Sequence, residues 1–210
     1  MKIIKIEGDT IPTYQKINII IPVDKGELFI MPTDTLWGLG VSPIFPSAIK
    51  ELFKIKKRPL DQPLPLLVAT VKFAEELIGS KPSKMFFRLA EKFWPGPLTI
   101  IVKSKKEFSE GLYSPGNRIG LRIPAHPIAR EIIEASRDKY LAVTSANRHG
   151  NPEPKTVDEL RKEFESDVFM IIESDIPMMQ NPSTVVDISS GEIRIIREGA
   201  IPRDQIFMAN

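Results

Sequence analysis

Three short polar segments hold side chains whose types could bind an anion or a nucleotide. They are the hydroxyl-rich turn Pro32-Thr33-Asp34-Thr35, the cationic pair Lys56 and Arg58, and the polar cluster Thr144-Ser145-Ala146-Asn147. Cations and hydroxyls hold phosphate and carboxylate groups through charge-assisted hydrogen bonds, each contributing about 1.5 to 3 kcal/mol. The combination predicts an enzyme that holds a nucleotide and an amino acid.

The usual nucleotide-binding signatures are absent from the chain. It has no Gly-x-x-x-x-Gly-Lys-Ser/Thr loop, and Gly38-x-Gly40 alone is too weak to indicate a dinucleotide site. A nucleotide would therefore need separately placed cations and hydroxyl groups. The candidates are the cations Lys56, Arg58, Arg118, Arg122 and Arg197 with the hydroxyls of Thr33, Thr35, Ser145 and Ser183.

Each candidate also has a purely structural explanation. Lys56 falls near the end of a predicted helix, where a cation is favourable to the helix dipole. Asn147 is typical of a turn, Arg122 could be a surface strand residue, and Ser183 could cap a turn. The joint occurrence of polar residues in 144–147 favours a binding site, while the structural alternative stays open for each residue taken singly.

Composition excludes several kinds of chemistry. With no Cys and two His, the chain has no disulfide, no thiolate metal site and no cysteine nucleophile, and a zinc hydrolase is disfavoured. The formal net charge of +2 predicts no generic nucleic-acid binding. The charged amino-terminal segment lacks an apolar signal core, and no apolar run reaches membrane-spanning length, so we expect a cytoplasmic protein with no membrane partner.

Apolar periodicity and the positions of Gly and Pro predict alternating strands and helices in one domain over residues 1–210. Strands are predicted at 28–31, 64–69, 98–102, 119–123, 140–143, 168–172, 184–188 and 192–196. Helices are predicted from Pro46 until shortly before Pro59 and at 72–78, 83–93, 126–135 and 156–164. Because both helices and short turns join the strands, we expect a mixed sheet in a three-layer α/β (α+β) domain.

Seven short motifs in order give the chain a resemblance to the YrdC/TsaC family of threonylcarbamoyl-adenylate synthases, from about Leu28 to Ile201. The motifs are Pro-Thr-Asp-Thr-Leu-Trp-Gly-Leu-Gly at 32–40, Lys-x-Arg-Pro at 56–59, Trp-Pro-Gly-Pro-Leu-Thr at 94–99, Arg-Ile-Pro-Ala-His-Pro at 122–127, Ser-Ala-Asn at 145–147, Ser-Thr-Val-Val-Asp at 183–187 and Arg-Glu-Gly-Ala-Ile at 197–201.

The resemblance implies a twisted mixed sheet of the YrdC/RibB type, in the short form without a further carboxyl-terminal domain. It also implies condensation of L-threonine, bicarbonate and ATP to threonylcarbamoyl-AMP and pyrophosphate, with Mg²⁺ accompanying ATP. The product would serve threonylcarbamoyladenosine modification of tRNA, so tRNA and downstream modification proteins become possible partners.

The same resemblance implies roles for individual residues, and it implies no protein-bound metal. The catalytic tetrad would be Lys56, Arg58, Ser145 and Asn147. Threonine would bind to Thr33, Thr35, Arg122 and Ser183. The nucleotide would bind to Lys56, Arg58, Gln62, Arg118, Asn147 and Arg197.

Some positions resemble the YciO-type branch of the family instead. Gln62 stands where Asn is usual, and Leu67 stands where some relatives have a His in the threonine pocket. The preference for threonine therefore stays open at these two positions. Lys56 and the Ser-x-Asn motif are similar to the synthase branch.

Two other kinds of function compete with a synthase. The first is a protein of the YrdC/YciO type that binds double-stranded RNA or tRNA without turnover, which the near-neutral charge disfavours. The second is another enzyme on the same fold, such as a carbamoyl transferase or a sugar-phosphate lyase. The lack of accessory zinc fingers argues against the former, and the scarcity of acid-base residues argues against the latter.

Overall fold

The computed structural model describes residues 1–79 and 81–209. Its strands are β1 (Lys2–Ile6), β2 (Phe29–Met31), β3 (Gly38–Val41), β4 (Leu66–Val68), β5 (Leu98–Lys103), β6 (Arg118–Arg122), β7 (Tyr140–Ser145), β8 (Met170–Ser174), β9 (Thr184–Asp187) and β10 (Arg194–Arg197). Its helices are α1 (Thr13–Asp24), α2 (Pro46–Lys56), α3 (Val71–Leu77), α4 (Lys84–Phe93), α5 (Pro127–Ala135), α6 (Val157–Phe164) and α7 (Arg203–Phe207).

All ten of these strands belong to one sheet with the order β1-β8-β2-β3-β7-β4-β6-β5-β9-β10. Parallel pairs such as β4 with β6 and β5 with β9 alternate with antiparallel pairs such as β5 with β6 and β4 with β7. The predicted mixed sheet is confirmed. Its consequence for a site is that β4, β6, β5 and β9 lie side by side although they are far apart in the chain.

Helices pack on both faces of the sheet and complete the three-layer arrangement. Neighbouring residues of β4 show the division, because Leu66 belongs to one buried apolar cluster and Leu67 to another. The Leu66 cluster contains Leu52 of α2, and the Leu67 cluster contains Ile132 of α5. The alternation of strand side chains therefore divides the apolar residues into two layers of core.

Several elements were not predicted from the sequence: β1, α1, β3 and α7. Strand β3 escaped prediction because Gly38 and Gly40 lower its strand propensity. Tight packing explains both glycines, since a Cβ on Gly38 would lie 2.7 Å from Val143 Cγ1 and one on Gly40 would lie 3.0 Å from Phe29 Cζ. The space between neighbouring strands, rather than local preference, selects glycine here.

Helix α1 escaped prediction because its apolar residues do not lie on a single face. Ile19 and Val23 are buried, whereas Tyr14, Ile17 and Ile21 are exposed. Such a distribution gives no clear helical period. Within the described residues, no helix is both long and apolar enough to cross a membrane.

Candidate active site

A cavity of about 340 Å³ lies on the sheet face that carries Leu67. Leu141 of β7 is buried in the core on that face with residues of α1 and α5, whereas Val143 of β7 and residues of β6, β5 and β9 on the same face line the cavity. The pairing of the strands explains why these side chains form the floor of the cavity. The pairs are Leu67 with Arg122, Gly120 with Ile101, and Thr99 with Val185. Paired residues of adjacent strands point to the same side of a sheet.

The structure brings many of the predicted site residues to this one cavity. They come from turns and strand ends that are distant in sequence, and those lining the cavity are Thr33, Thr35, Arg58, Arg122, Ser145, Ser183 and Arg197. Lys56, Gln62, Arg118 and Asn147 do not line it. We call the part of the cavity lined by Thr35, Leu67 and Arg122 the Arg122 end. We call the part lined by Arg58, Ser183 and Arg197 the Arg58 end.

The hydroxyl-rich turn after β2 is held by its own side chain. Thr33 Oγ1 donates to the Leu36 carbonyl at 2.6 Å and accepts the backbone N–H groups of Thr35 and Leu36, both at 3.2 Å. The Thr33 hydroxyl is therefore used to shape the turn. The Thr35 hydroxyl accepts an N–H from Arg122 at 3.0 Å and lines the cavity beside it.

Arg122 is fixed by three partners from separate parts of the chain. Its Nε donates to the Gly96 carbonyl at 3.0 Å, one terminal nitrogen donates to Thr35 Oγ1 at 3.0 Å, and the other donates to Asp34 Oδ1 at 2.7 Å. Burial lowers the pKa of Arg122, and the Asp34 carboxylate opposes that shift. Three of the five guanidinium N–H groups are thus engaged, and the other two have no hydrogen-bond partner among the described residues.

Lys56 lies behind the cavity wall with its side chain fully buried. Its Nζ donates to the carbonyl oxygens of Ser145 and Asn147 at 2.7 and 2.8 Å, and to Asn147 Oδ1 at 2.8 Å. Burial is the main cause that lowers the pKa of Lys56 to about 8, and the positive charge of Arg58 is the second cause. Lys56, Ser145 and Asn147 of the predicted tetrad are therefore joined by hydrogen bonds, and Lys56 and Asn147 shape the wall that presents Ser145 rather than lining the cavity themselves.

Arg58 reaches the cavity because helix α2 ends directly before it. Lys57 adopts a left-handed conformation with φ of 53°, and the Arg58 N–H donates to the Phe53 carbonyl at 3.0 Å. A residue in this conformation ends a helix by turning the chain sharply. Pro59 then prevents the helix from resuming. Two cations of one motif, Lys56 and Arg58, consequently have different surroundings although they are only two residues apart.

At the Arg58 end the arginines donate to neutral oxygens. Arg58 donates to the carbonyls of Gln62 and Pro63 at 2.7 and 3.4 Å, and Arg197 donates to the Ser183 carbonyl at 3.1 and 2.8 Å. Burial lowers the pKa of Arg58, with the charge of Arg197 as a second cause. Burial likewise lowers the pKa of Arg197, with the charge of Arg122 as a second cause. This mutual repulsion creates a site that favours an anion.

Two predicted nucleotide-binding residues lie elsewhere, for identifiable reasons. Arg118 forms an ion pair with Asp187 at 2.5 Å and donates to the Pro115 carbonyl at 2.7 Å. Gln62 is exposed and offers its backbone carbonyl to Arg58. Neither side chain lines the cavity, and their roles in nucleotide binding stay predictions.

Sequence reasoning missed several cavity residues and one residue beneath them. Asp34 lay inside a quoted motif but received no role, and Glu153 lay between two prolines without a signal. Glu153 is the carboxylate among the lining residues, whereas Pro65, Leu67, Val143, Ile101, Val185 and Ile196 give the wall its apolar part. The described residues contain no group of three or more His, Cys, Asp or Glu that could hold a metal ion.

Comparison with known proteins explains why these motifs occur together. Residues 22–199 match the model of the Sua5/YciO/YrdC family, which carries the description "Telomere recombination". The chain belongs to the Sua5/YciO/YrdC family. This membership confirms the resemblance inferred from the seven motifs.

Among curated members of this family, the threonylcarbamoyl-AMP synthase of Pyrococcus abyssi is 31% identical over 184 residues, which are 88% of this chain and 54% of that protein. The putative threonylcarbamoyl-AMP synthase of Methanocaldococcus jannaschii is 34% identical over 177 residues, covering 84% of this chain and 82% of that protein. The chain therefore spans about half of the first relative and most of the second.

Solved structures of the family share the whole fold. The crystal structure of P. abyssi Sua5 complexed with L-threonine matches with a TM-score of 0.91 at 28% identity, over 100% of this chain and 61% of that one. Escherichia coli YciO matches with a TM-score of 0.86 at 25% identity, over 96% and 98%. The predicted fold class is confirmed.

Proposed function

We propose that this family member is an L-threonylcarbamoyladenylate synthase, which condenses L-threonine, bicarbonate and ATP to threonylcarbamoyl-AMP and pyrophosphate. The observation that carries the proposal is a single cavity with a guanidinium and hydroxyl pair at the Arg122 end and two further arginines at the Arg58 end. The names of the relatives from P. abyssi and M. jannaschii support it. The substrates and product favour a cytoplasmic location near the tRNA-modification machinery.

The chemistry joins two anions. The amine of threonine attacks CO₂ or bicarbonate to form a carbamate, and a carbamate oxygen then attacks the α-phosphorus of ATP while pyrophosphate leaves. With bicarbonate as the carbon source, one water is also released. Because nucleophile and leaving group are both negative, catalysis depends on positioning and on cations rather than on a covalent protein nucleophile.

The two ends of the cavity suit the two substrates. The two remaining N–H groups of Arg122 fit a carboxylate, because guanidinium geometry allows a paired contact. Thr35 lies next to that guanidinium, and Leu67 pairs with Arg122 on the neighbouring strand. At the other end, Arg58 and Arg197 would bind the phosphates and stabilise negative charge on the departing pyrophosphate.

Mg²⁺ is part of the proposal as a companion of ATP. Mg²⁺ prefers oxygen ligands and commonly binds through one or two carboxylates together with substrate phosphates and water. The residues that line the cavity include such oxygen donors in Glu153 and Ser145. When bound, the ion supplies charge neutralisation for the phosphates.

The decisive assay measures pyrophosphate release with threonine, bicarbonate and ATP, and then with each omitted in turn. We expect release to require all three, and we expect the product to carry the mass of threonylcarbamoyl-AMP. Pyrophosphate release that is unchanged without threonine or without bicarbonate would contradict the proposed function.

One observation favours RNA binding as a second candidate function. A shallow recess that shares Arg58 with the cavity is bordered by Lys50, Lys54 and Lys57. Contacts between lysines and phosphates weaken steeply as salt rises and need no threonine. Threonine-independent, salt-sensitive binding of double-stranded RNA or tRNA by a chain that releases no pyrophosphate would support this candidate over the synthase.

A further inference from the structure

We propose that Asp34 is a positioning residue for the amino-acid substrate, which acts by fixing the guanidinium of Arg122. This inference rests on the proposed function, because it assigns the carboxylate of the amino acid to Arg122. Asp34 is the residue between the two threonines of the hydroxyl-rich turn, and its own carboxylate does not line the cavity. Its influence on a ligand would therefore pass through Arg122.

Hydrogen bonds fix one oxygen of the Asp34 carboxylate, Oδ1, while Oδ2 is buried with no hydrogen-bond partner among the described residues. Its Oδ1 accepts Arg122 at 2.7 Å and the backbone N–H of Ala125 at 3.0 Å. The main chain of the turn is also held, since the carbonyls of Asp34 and Thr35 accept the N–H groups of Met179 and Gln180, both at 2.9 Å. An acceptor fixed in this way defines the direction of the bond that it accepts.

The contacts of Arg122 show why an anchor matters. Arginine has several rotatable bonds, and a free guanidinium could present its N–H groups in many directions. Asp34, Thr35 and Gly96 together reduce these directions to one. The substrate carboxylate then meets two N–H groups that are already oriented, so less entropy is lost on binding.

Charge gives Asp34 a second effect on the same side chain. The side chains of Arg122 and Asp34 are each only 7% exposed. A buried guanidinium without a partner is costly, whereas a paired one is tolerated. Asp34→Ala would consequently mix a loss of stability with any loss of binding, so that variant alone cannot separate positioning from folding.

Two conservative variants separate geometry from charge. Asp34→Asn keeps an oxygen acceptor at the same distance from the backbone and removes the charge. Asp34→Glu keeps the charge and moves the acceptor by one methylene. If Asp34 acts by orienting Arg122, the KM for threonine rises at least about tenfold in Asp34→Glu and less than about fivefold in Asp34→Asn. We expect the KM for ATP and the kcat at saturating threonine to stay within about threefold of wild type.

The chain offers a matched control on the same strand. Arg118 at the other end of β6 pairs with Asp187 at 2.5 Å, and neither residue lines the cavity. Asp187→Asn and Asp187→Glu therefore perturb an arginine pair of similar chemistry outside the site. We expect them to leave the KM for threonine unchanged, and melting temperatures of all four variants report any general loss of stability.

The outcomes distinguish failure of this inference from failure of the proposed function. An active wild type whose threonine KM is insensitive to Asp34→Glu, or rises as much in Asp34→Asn, overturns the positioning role alone. An equal rise in the KM for threonine in the Asp187 variants also overturns it, because any disturbance of β6 would then suffice. A wild type that neither binds threonine in calorimetry nor releases pyrophosphate overturns both.

Discussion

The two ends of the cavity use arginine in opposite ways. At the Arg122 end the guanidinium is buried and paired with the Asp34 carboxylate, whereas at the Arg58 end Arg58 and Arg197 donate to carbonyl and hydroxyl oxygens. An arginine whose charge is balanced and whose orientation is fixed recognises a carboxylate through the directions of its N–H groups. Arginines without a carboxylate partner attract a polyanion by charge. One end is thus suited to an amino acid and the other to a triphosphate.

The largest expected effect comes from removing a charge at the Arg58 end. Arg58→Ala should lower the catalytic efficiency for pyrophosphate release about 100-fold or more, equivalent to ~3 kcal/mol of transition-state stabilisation. Steady-state kinetics with ATP as the varied substrate measure it. The exposed Arg88 of α4 provides the control variant Arg88→Ala, for which no change is expected. A near-normal rate for Arg58→Ala would break the distinction between the two ends.

At the Arg122 end we expect a smaller effect, which changes the KM for threonine rather than the KM for ATP. Arg122→Lys keeps the positive charge but loses the planar fork and its fixed partners, so the KM for threonine should rise by about 10- to 100-fold. The KM for ATP should change little. Arg118→Lys is the control, because Arg118 occupies the same strand outside the cavity. A parallel rise in both KM values would show that the ends are not separate.

The buried lysine behind the wall predicts a pH effect on stability. The pKa of Lys56 is about 8 in the folded protein and 10.5 for an ordinary lysine, so between these values the unfolded chain binds more protons. Stability should rise with pH through that window, by at most about 1.4 kcal/mol per pH unit, and the gain should disappear as pH falls through 8.

Urea unfolding at several pH values between about 7 and 10 measures this contribution. Lys56→Met should lack it, while Lys54→Met, at an exposed lysine of the same helix, should retain it. Identical pH dependence in the wild type and Lys56→Met would contradict the assignment of the lowered pKa to Lys56. It would also weaken the contrast between a structural Lys56 and a cavity-facing Arg58.

The smallest expected effect concerns the carboxylate of the cavity lining. Glu153→Gln should raise the Mg²⁺ concentration needed for half-maximal binding of a non-hydrolysable ATP analogue by about threefold, because phosphates and water supply most ligands of the ion. Calorimetric titration at varied Mg²⁺ measures the change without turnover. The exposed Glu91 provides the control variant Glu91→Gln. An unchanged Mg²⁺ requirement would remove Glu153 from the proposed metal environment.

Local sequence was sufficient for much of the fold and for the position of several motifs. Pro32 after an apolar run located the end of β2, and Pro46 located the start of α2. Strand β3 was missed because its glycines reflect contacts with Phe29 and Val143 of neighbouring strands. Such contacts depend on which strands become neighbours, and periodicity along one segment carries no information on that point.

The residue types and their order established the chemistry available to this chain: hydroxyls, amides and cations, without thiols and with few imidazoles. They also established the family. What they left undetermined was the direction of each cation. Lys56 and Arg58 are two residues apart, yet only folding places Lys56 inside the wall and Arg58 in the cavity.

The same holds along β6, where Arg118 pairs with Asp187 and Arg122 with Asp34. The partner carboxylates lie 69 and 88 residues away in the chain. A charged side chain is available for ligand binding or serves the structure according to which residues, distant in sequence, contact it in the folded chain. That choice is made by the packing of the sheet, since electrostatic and hydrogen-bond energies depend on distances that exist only in the folded chain.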